Sequence, residues 1–198
     1  MIKAKYSDKN TVVNLLSKAY DGNLGPNLII KQDEKVAYRL TKLMEYIFEM
    51  CYMFGDVFLS DDRKACACLL YPDKKKISLK SIQLAIKLIF QCIGLKKLKE
   101  VWMGEIIRRK IRPKKPYSYG WVIGVDPTCQ KKGYGNALVQ ELIAYSFAKQ
   151  RPIYFEAVIP ENVAWYQKMG FEIYHQEELA CKVSFLKKEL PEQLSKPV

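Results

Sequence analysis

The run Tyr117-Ser118-Tyr119-Gly120-Trp121-Val122-Ile123-Gly124-Val125-Asp126-Pro127-Thr128-Cys129-Gln130-Lys131-Lys132-Gly133-Tyr134-Gly135 joins three local signals. Aromatic and β-branched residues predict a strand, Val-Asp-Pro predicts a turn, and two glycines two apart lead into a helical pattern. A loop at a helix N-terminus offers N–H groups without intrahelical partners, and glycine lets an anion approach without meeting a Cβ. A phosphate-bearing ligand is therefore the first expectation, against the plainer reading of a tight strand-to-helix connection. Two phosphate motifs are excluded. A dinucleotide fingerprint needs a third glycine where Leu138 stands, and Gly-Lys-Ser/Thr occurs nowhere.

Working outward, Asn162-Val163-Ala164-Trp165-Tyr166-Gln167-Lys168-Met169-Gly170-Phe171 follows later in the chain. Gln130-Lys131-Lys132-Gly133-Tyr134-Gly135 resembles the pyrophosphate loop of GNAT-type N-acetyltransferases, Gln/Arg-x-x-Gly-x-Gly/Ala. The later segment resembles that superfamily's second motif, Asn-x-x-x-Tyr-x-x-x-Gly-Phe. Either alone is weak, and the ordered pair is specific. The close resemblance covers residues 117–175; elsewhere only the order of elements agrees.

The resemblance implies an α/β GNAT fold: a mixed, mostly antiparallel sheet with one parallel, splayed strand pair, flanked by helices, with a helical insert before the central strand. It implies acetyl-CoA as co-substrate, no metal, and direct transfer to a primary amine of a small molecule. Backbone groups of Ile123, Gly124 and Val125 would meet the pantetheine arm as an added strand does. The N–H groups of Lys131, Lys132, Gly133, Tyr134, Gly135 and Asn136 would hold the pyrophosphate, with Gln130 bracing the loop. Lys131 departs from the glycine that many relatives carry. Asn162 matches a cofactor-contacting position and Tyr166 the tyrosine that protonates the leaving sulfur; their plainer readings are a helix cap and core packing.

For a base, the expectation is Glu156, which alternates with Phe155 and Ala157 on strand 153–159 and so faces the other way. A carboxylate among apolar neighbours near a cleft has a raised pKa and accepts a proton; orienting the amine is the equal alternative. His175 matches no motif and is expected at the surface.

The bulk properties fit this reading. A chain of 198 residues, 49% hydrophobic and 27% charged, describes one soluble domain, 1–198, with a polar tail at about 191–198; the resemblance implies a cofactor-binding core at about 117–175. No apolar run reaches the length of a membrane span and no signal peptide is visible, so no membrane partner and a cytoplasmic location are expected. Six cysteines without Cys-x-x-Cys spacing argue against zinc and need no disulfide framework. Cys129, beside a helix N-terminus and two lysines, is the one whose thiol could be activated, against the plainer reading of a surface loop position with no role. The formal charge of +12 is spread in pairs and triplets, which argues against a nucleic-acid surface, although a polyanionic cofactor such as coenzyme A would use a few of them. The resemblance leaves a homodimer open.

The remaining elements are read from periodicity. A strand at 2–6 precedes a helix with Val12, Leu15, Leu16 and Ala19. Breaks at 21–23 and 25–27 lead to a second helix, 34–53, and a hairpin follows at 56–60 and 65–71. Apolar helical stretches at 79–92 and from 94 to 111 are expected to pack on the sheet, or else to wall an acceptor pocket with Trp102 as a stacking surface. A helix begins near Tyr134, a strand runs 153–159, a helix 162–169, and strands 171–174 and 179–186 close the sheet. Two other functions stay open: acetylation of a protein or peptide amine on the same fold, and a non-catalytic acyl-CoA-binding module.

Overall fold

In the computed structural model, which describes residues 1–192, seven strands form one sheet in the order β1-β2-β3-β4-β5-β7-β6. The strands are β1 (Ile2–Lys3), β2 (Gly55–Leu59), β3 (Ala65–Leu70), β4 (Ser118–Val125), β5 (Ile153–Ala157), β6 (Glu172–Glu178) and β7 (Lys182–Lys188). The helices are α1 (Lys9–Ala19), α2 (Leu24–Ile29), α3 (Val36–Phe54), α4 (Leu79–Leu88), α5 (Leu95–Ile111), α6 (Tyr134–Ala148) and α7 (Pro160–Lys168). All adjacent strands are antiparallel except β4 and β5, which helix α6 connects as a parallel pair. That is the mixed architecture the sequence predicts.

The period of two sorts side chains onto two cores. On β3, Cys66, Cys68 and Leu70 join Val12, Leu16, Met44 and Phe48 under α1 and α3. Ala65, Ala67 and Leu69 join Leu138, Leu142, Phe155 and Phe171 under α6 and α7. The four cysteines at 51, 66, 68 and 92 are buried free thiols, as small apolar fillers are.

Several elements differ from expectation. Residues 25–27, read as a break, lie within α2. The Asn23 side chain accepts the N–H of Gly25, and Pro26 sits in the first turns, where a missing N–H costs nothing. The apolar stretch after α4 ends in a π-type turn, Ile89–Ile93, whose Cys92 and Ile93 are buried. Strand β6 extends to Glu178 through polar residues that an apolar pattern does not reveal, because it lies at the sheet edge. Within the expected tail, residues 193–198 lie outside the described residues.

The feature that positions the site is the parting of β4 from β5. The two pair only at Ser118↔Ile153, Tyr119↔Tyr154 and Gly120↔Phe155. On the other side of β4 the register steps from Cys68↔Val122 to Leu69↔Gly120, which leaves Trp121 as an extra residue in a β-bulge. A bulge bends and twists its strand, and it falls where pairing to β5 stops. Gly120 is required there because a Cβ would lie 1.8 Å from the Phe155 ring.

Candidate active site

Beyond Gly120 the backbone of β4 faces an open gap. The N–H of Ile123 points into it and donates to the Tyr20 hydroxyl at 3.2 Å. Past the end of β4, Asp126 caps a short 3-10 turn through Thr128, accepting its N–H at 3.0 Å and its hydroxyl at 2.6 Å. Gln130 Nε2 reaches back to the Val125 carbonyl at 3.5 Å, a long bond that ties the loop to its strand.

Lys131 and Gly133 both adopt left-handed backbone, with φ of 61° and 89°. Only glycine does this without strain, which gives a physical reason for the glycine of many relatives at position 131. The twist turns successive amides to one side and starts α6, whose first bond to Gly133 comes from Ala137 at 3.0 Å. The N–H groups of Lys131 through Asn136 therefore donate to no carbonyl among the described residues. Such a row of free donors at a helix N-terminus fits a polyanion such as a pyrophosphate. The loop is held from outside: Tyr134 Oη donates to Asp62 at 2.7 Å, and Trp165 Nε1 donates to Asn136 Oδ1.

The gap opens into a cleft of about 750 Å³ bounded by β4, β5, α2, α5 and the β6–β7 turn. Ile123, Asn162, Glu156 and Tyr166 all line it, so four sequence-predicted site residues from three elements, β4, β5 and α7, meet there. Tyr166 is 8% exposed. Its ring stacks on Phe155 at 4.6 Å and meets Phe171 edge-on at 5.4 Å. Burial, with lesser contributions from Tyr20 and Tyr119, pushes its pKa well above the ordinary tyrosine value, so it keeps its proton. Its hydroxyl has no hydrogen-bond partner among the described residues, although core packing fixes the ring.

Glu156 does face away from Phe155, but its neighbours are not apolar. Arg108 Nε lies 3.0 Å from one carboxylate oxygen and Arg112 Nε 2.8 Å from the other. Arg112 also donates to Glu105 at 3.1 Å. Burial opposes the Arg112 charge, but Tyr119, Glu156 and Glu105 more than compensate and hold the guanidinium protonated. Arg108 stands in the last turn of α5 and Arg112 directly follows that helix, and sequence reasoning missed them because nothing local ties this segment to β5. Trp102 is a correction: it is 63% exposed and does not line the cleft, whereas its neighbours Val101, Met103 and Gly104 do. His175 is exposed beside Glu177, and Cys129 is half-buried. Among the described residues no three His, Cys, Asp or Glu side chains gather as metal ligands.

Residues 95–173, from α5 to the start of β6, match the family model described as an acetyltransferase (GNAT) domain. Over that stretch the chain is similar to GNAT acetyltransferases, and the sheet with its split parallel pair is the GNAT fold. Solved structures share it across nearly the whole chain. A Corynebacterium glutamicum protein described as histone acetyltransferase HPA2 and related acetyltransferase is 18% identical, with a TM-score of 0.69 over 96% of this chain and 95% of that one. The C-terminal condensation domain of Ebony, solved with beta-alanyl-dopamine, is 10% identical, with a TM-score of 0.68 over 96% and 97%. A GNAT family acetyltransferase from Brucella melitensis, solved with acetyl-CoA, is 10% identical, with a TM-score of 0.52 over 96% and 86%. At these identities the likeness concerns the fold.

Proposed function

We propose that this protein transfers the acetyl group of acetyl-CoA to a primary amine of a small molecule by direct attack in a ternary complex. The observation that carries the reading is the Tyr166 hydroxyl, protonated and without a hydrogen-bond partner among the described residues, in the same cleft as the unpaired half of β4. Acetyl-CoA supplies the activated thioester. The free N–H groups of residues 131–136 suit its pyrophosphate, and the open edge at Ile123, Gly124 and Val125 suits its pantetheine arm. The complex of the Brucella melitensis protein with acetyl-CoA supports this choice.

The chain's own groups then have distinct tasks. Tyr166 holds a proton for the departing thiolate. Asn162, at the first turn of α7, offers its amide at the cleft wall. Glu156 has both oxygens engaged by guanidinium groups, which favours orienting over proton abstraction; the amine then loses its proton through water. Walls on several sides support a small acceptor over a peptide, which needs a groove open at both ends.

Calorimetric titration with acetyl-CoA tests the site, with Gly133→Asp placing a side chain and a negative charge among the free amides. Binding by the parent and none by the folded variant is expected. A parent that is folded and does not bind acetyl-CoA would overturn the assignment. An amine screen with the parent and Tyr166→Phe then separates an enzyme from an acyl-CoA-binding module.

A further inference from the structure

Residues 74–99, which run through α4 and the π-type turn into α5, hold eight lysines and no Asp or Glu, so this segment contributes +8 of the formal net charge of +12. Most large apolar residues left exposed by the fold are in or just beyond it: Ile77 is 90% exposed, Leu79 82%, Phe90 65% and Leu95 68%. From Leu79 the spacing to Ile82, Ile86 and Phe90 is three, four and four, so these residues form one outward stripe. Leu95 and Trp102, seven apart, repeat the arrangement on α5.

The outward orientation is fixed from beneath. Lys80 Nζ lies 2.7 Å from Glu49 of α3, Arg39 donates to the Gln91 carbonyl at 2.9 Å, and the N–H of Lys31 donates to the Cys92 carbonyl at 2.8 Å. Lys97 is taken up by the carbonyls of Leu28 and Ile30. The other six lysines, at 74, 75, 76, 87, 96 and 99, make no ion pair among the described residues.

We propose that the outer face of α4 and the start of α5 docks on the surface of an anionic lipid bilayer. A helix with bulky apolar residues on one side and lysines around them lies in the headgroup layer, with its apolar stripe toward the acyl chains and its ammonium groups at the phosphates. The other occupants fit less well. A second copy packed through this face in a two-fold contact would set lysines against the same lysines. Nucleic acid would use the charge but leave Leu79, Ile86 and Phe90 without a role. No helix among the described residues is long and apolar enough to cross a membrane, and surface docking needs none. The inference does not rest on the proposed acetyl transfer.

The test is flotation of the full chain with vesicles of phosphatidylcholine alone and of phosphatidylcholine with about 30 mol % phosphatidylglycerol. Recovery with the anionic vesicles alone is expected, together with a shift of tryptophan emission to shorter wavelength as Trp102 leaves water. Ile86→Ser with Phe90→Ser, and separately Lys74→Glu with Lys76→Glu, should each lower recovery by about tenfold or more. These positions are exposed, so thermal melting and acetyl-CoA titration should match the parent and certify the fold. Failure to float with anionic vesicles at low salt would overturn the proposal. So would flotation indifferent to the serine pair, which points to charge alone, or dimerisation lost in the serine pair without vesicle binding, which points to a second copy.

Discussion

The Tyr20 hydroxyl accepts the Ile123 N–H at 3.2 Å, across the gap where β4 leaves β5. Tyr20 caps the C-terminus of α1, so a residue from the first helix occupies one of the β4 donors that an added extended ligand would use. Removing the phenol oxygen frees that donor without emptying the space around the ring. Tyr20→Phe should therefore bind acetyl-CoA more tightly, by roughly twofold to tenfold, the worth of one neutral hydrogen bond. Calorimetry of parent and variant side by side decides it; weaker binding by the variant would mean that the phenol helps hold the ligand.

Tyr166 separates binding from chemistry. With a fixed ring and a free hydroxyl, Tyr166→Phe should leave acetyl-CoA affinity close to the parent's and lower kcat roughly 10²-fold, at the low end for a lost general acid. Because burial raises its pKa above the ordinary 10.0, Tyr166 adds no falling limb to the parent's pH–rate profile below that pH. An unchanged kcat in the variant would reduce Tyr166 to packing.

Lys131 carries a local backbone cost that the loop tolerates. At a φ of 61° a side chain costs about 1 kcal/mol relative to glycine, while glycine's extra freedom when unfolded offsets about 0.5–1 kcal/mol. Lys131→Gly should consequently leave stability level or slightly raised, whereas Lys132→Gly, without left-handed backbone to relieve, should lower it by about 0.5–1 kcal/mol. Urea midpoints compare the two. If recognition is by backbone, Lys131→Gly also keeps its acetyl-CoA affinity.

Glu49 makes stability depend on acid. Burial opposes its charge, but Lys80, Lys9 and Tyr6 together pull its pKa from 4.5 to about 2. A carboxylate with a depressed folded pKa contributes stability that is complete above its unfolded value and is lost as pH falls through the folded one. Melting temperature should thus fall between pH 4.5 and about pH 2, with Glu49 contributing on the order of 2 kcal/mol. Glu49→Gln should be less stable than the parent at neutral pH and respond less to acid over that interval.

The loop that leads into α6 was legible because it is local. Gln130 to Gly135 is contiguous, and the glycines that shape it stand in the sequence. The parallel pair was legible for a similar reason, since strand, helix and strand follow one another from β4 through α6 to β5. What escaped depends on pairings distant in sequence. The bulge at Trp121 exists only in the register between β3 and β4, and α2 hangs on one Asn23 cap. Glu156 was placed on the correct face, yet its partners Arg108 and Arg112 come from an insert whose docking no periodicity reports. The same insert shows the limit of composition. Its apolar residues read as core, and only the structure shows that Leu79, Ile82, Ile86 and Phe90 are left exposed beside its lysines.

The brief pairing of β4 with β5 has a consequence for the protein's company as well as its chemistry. An open seven-stranded sheet has two edges, at β1 and β6, and edges invite strands from other chains. By parting after Gly120 this sheet gains two more, both in its interior. Such unpaired backbone would be an aggregation hazard on the surface. Here α2, α5 and the β6–β7 turn stand around it, and Tyr20 stoppers one donor, so a passing polypeptide strand meets walls where a slender linear molecule finds room. The enclosure that would shape a substrate pocket is also what keeps the interior edges from templating fibres.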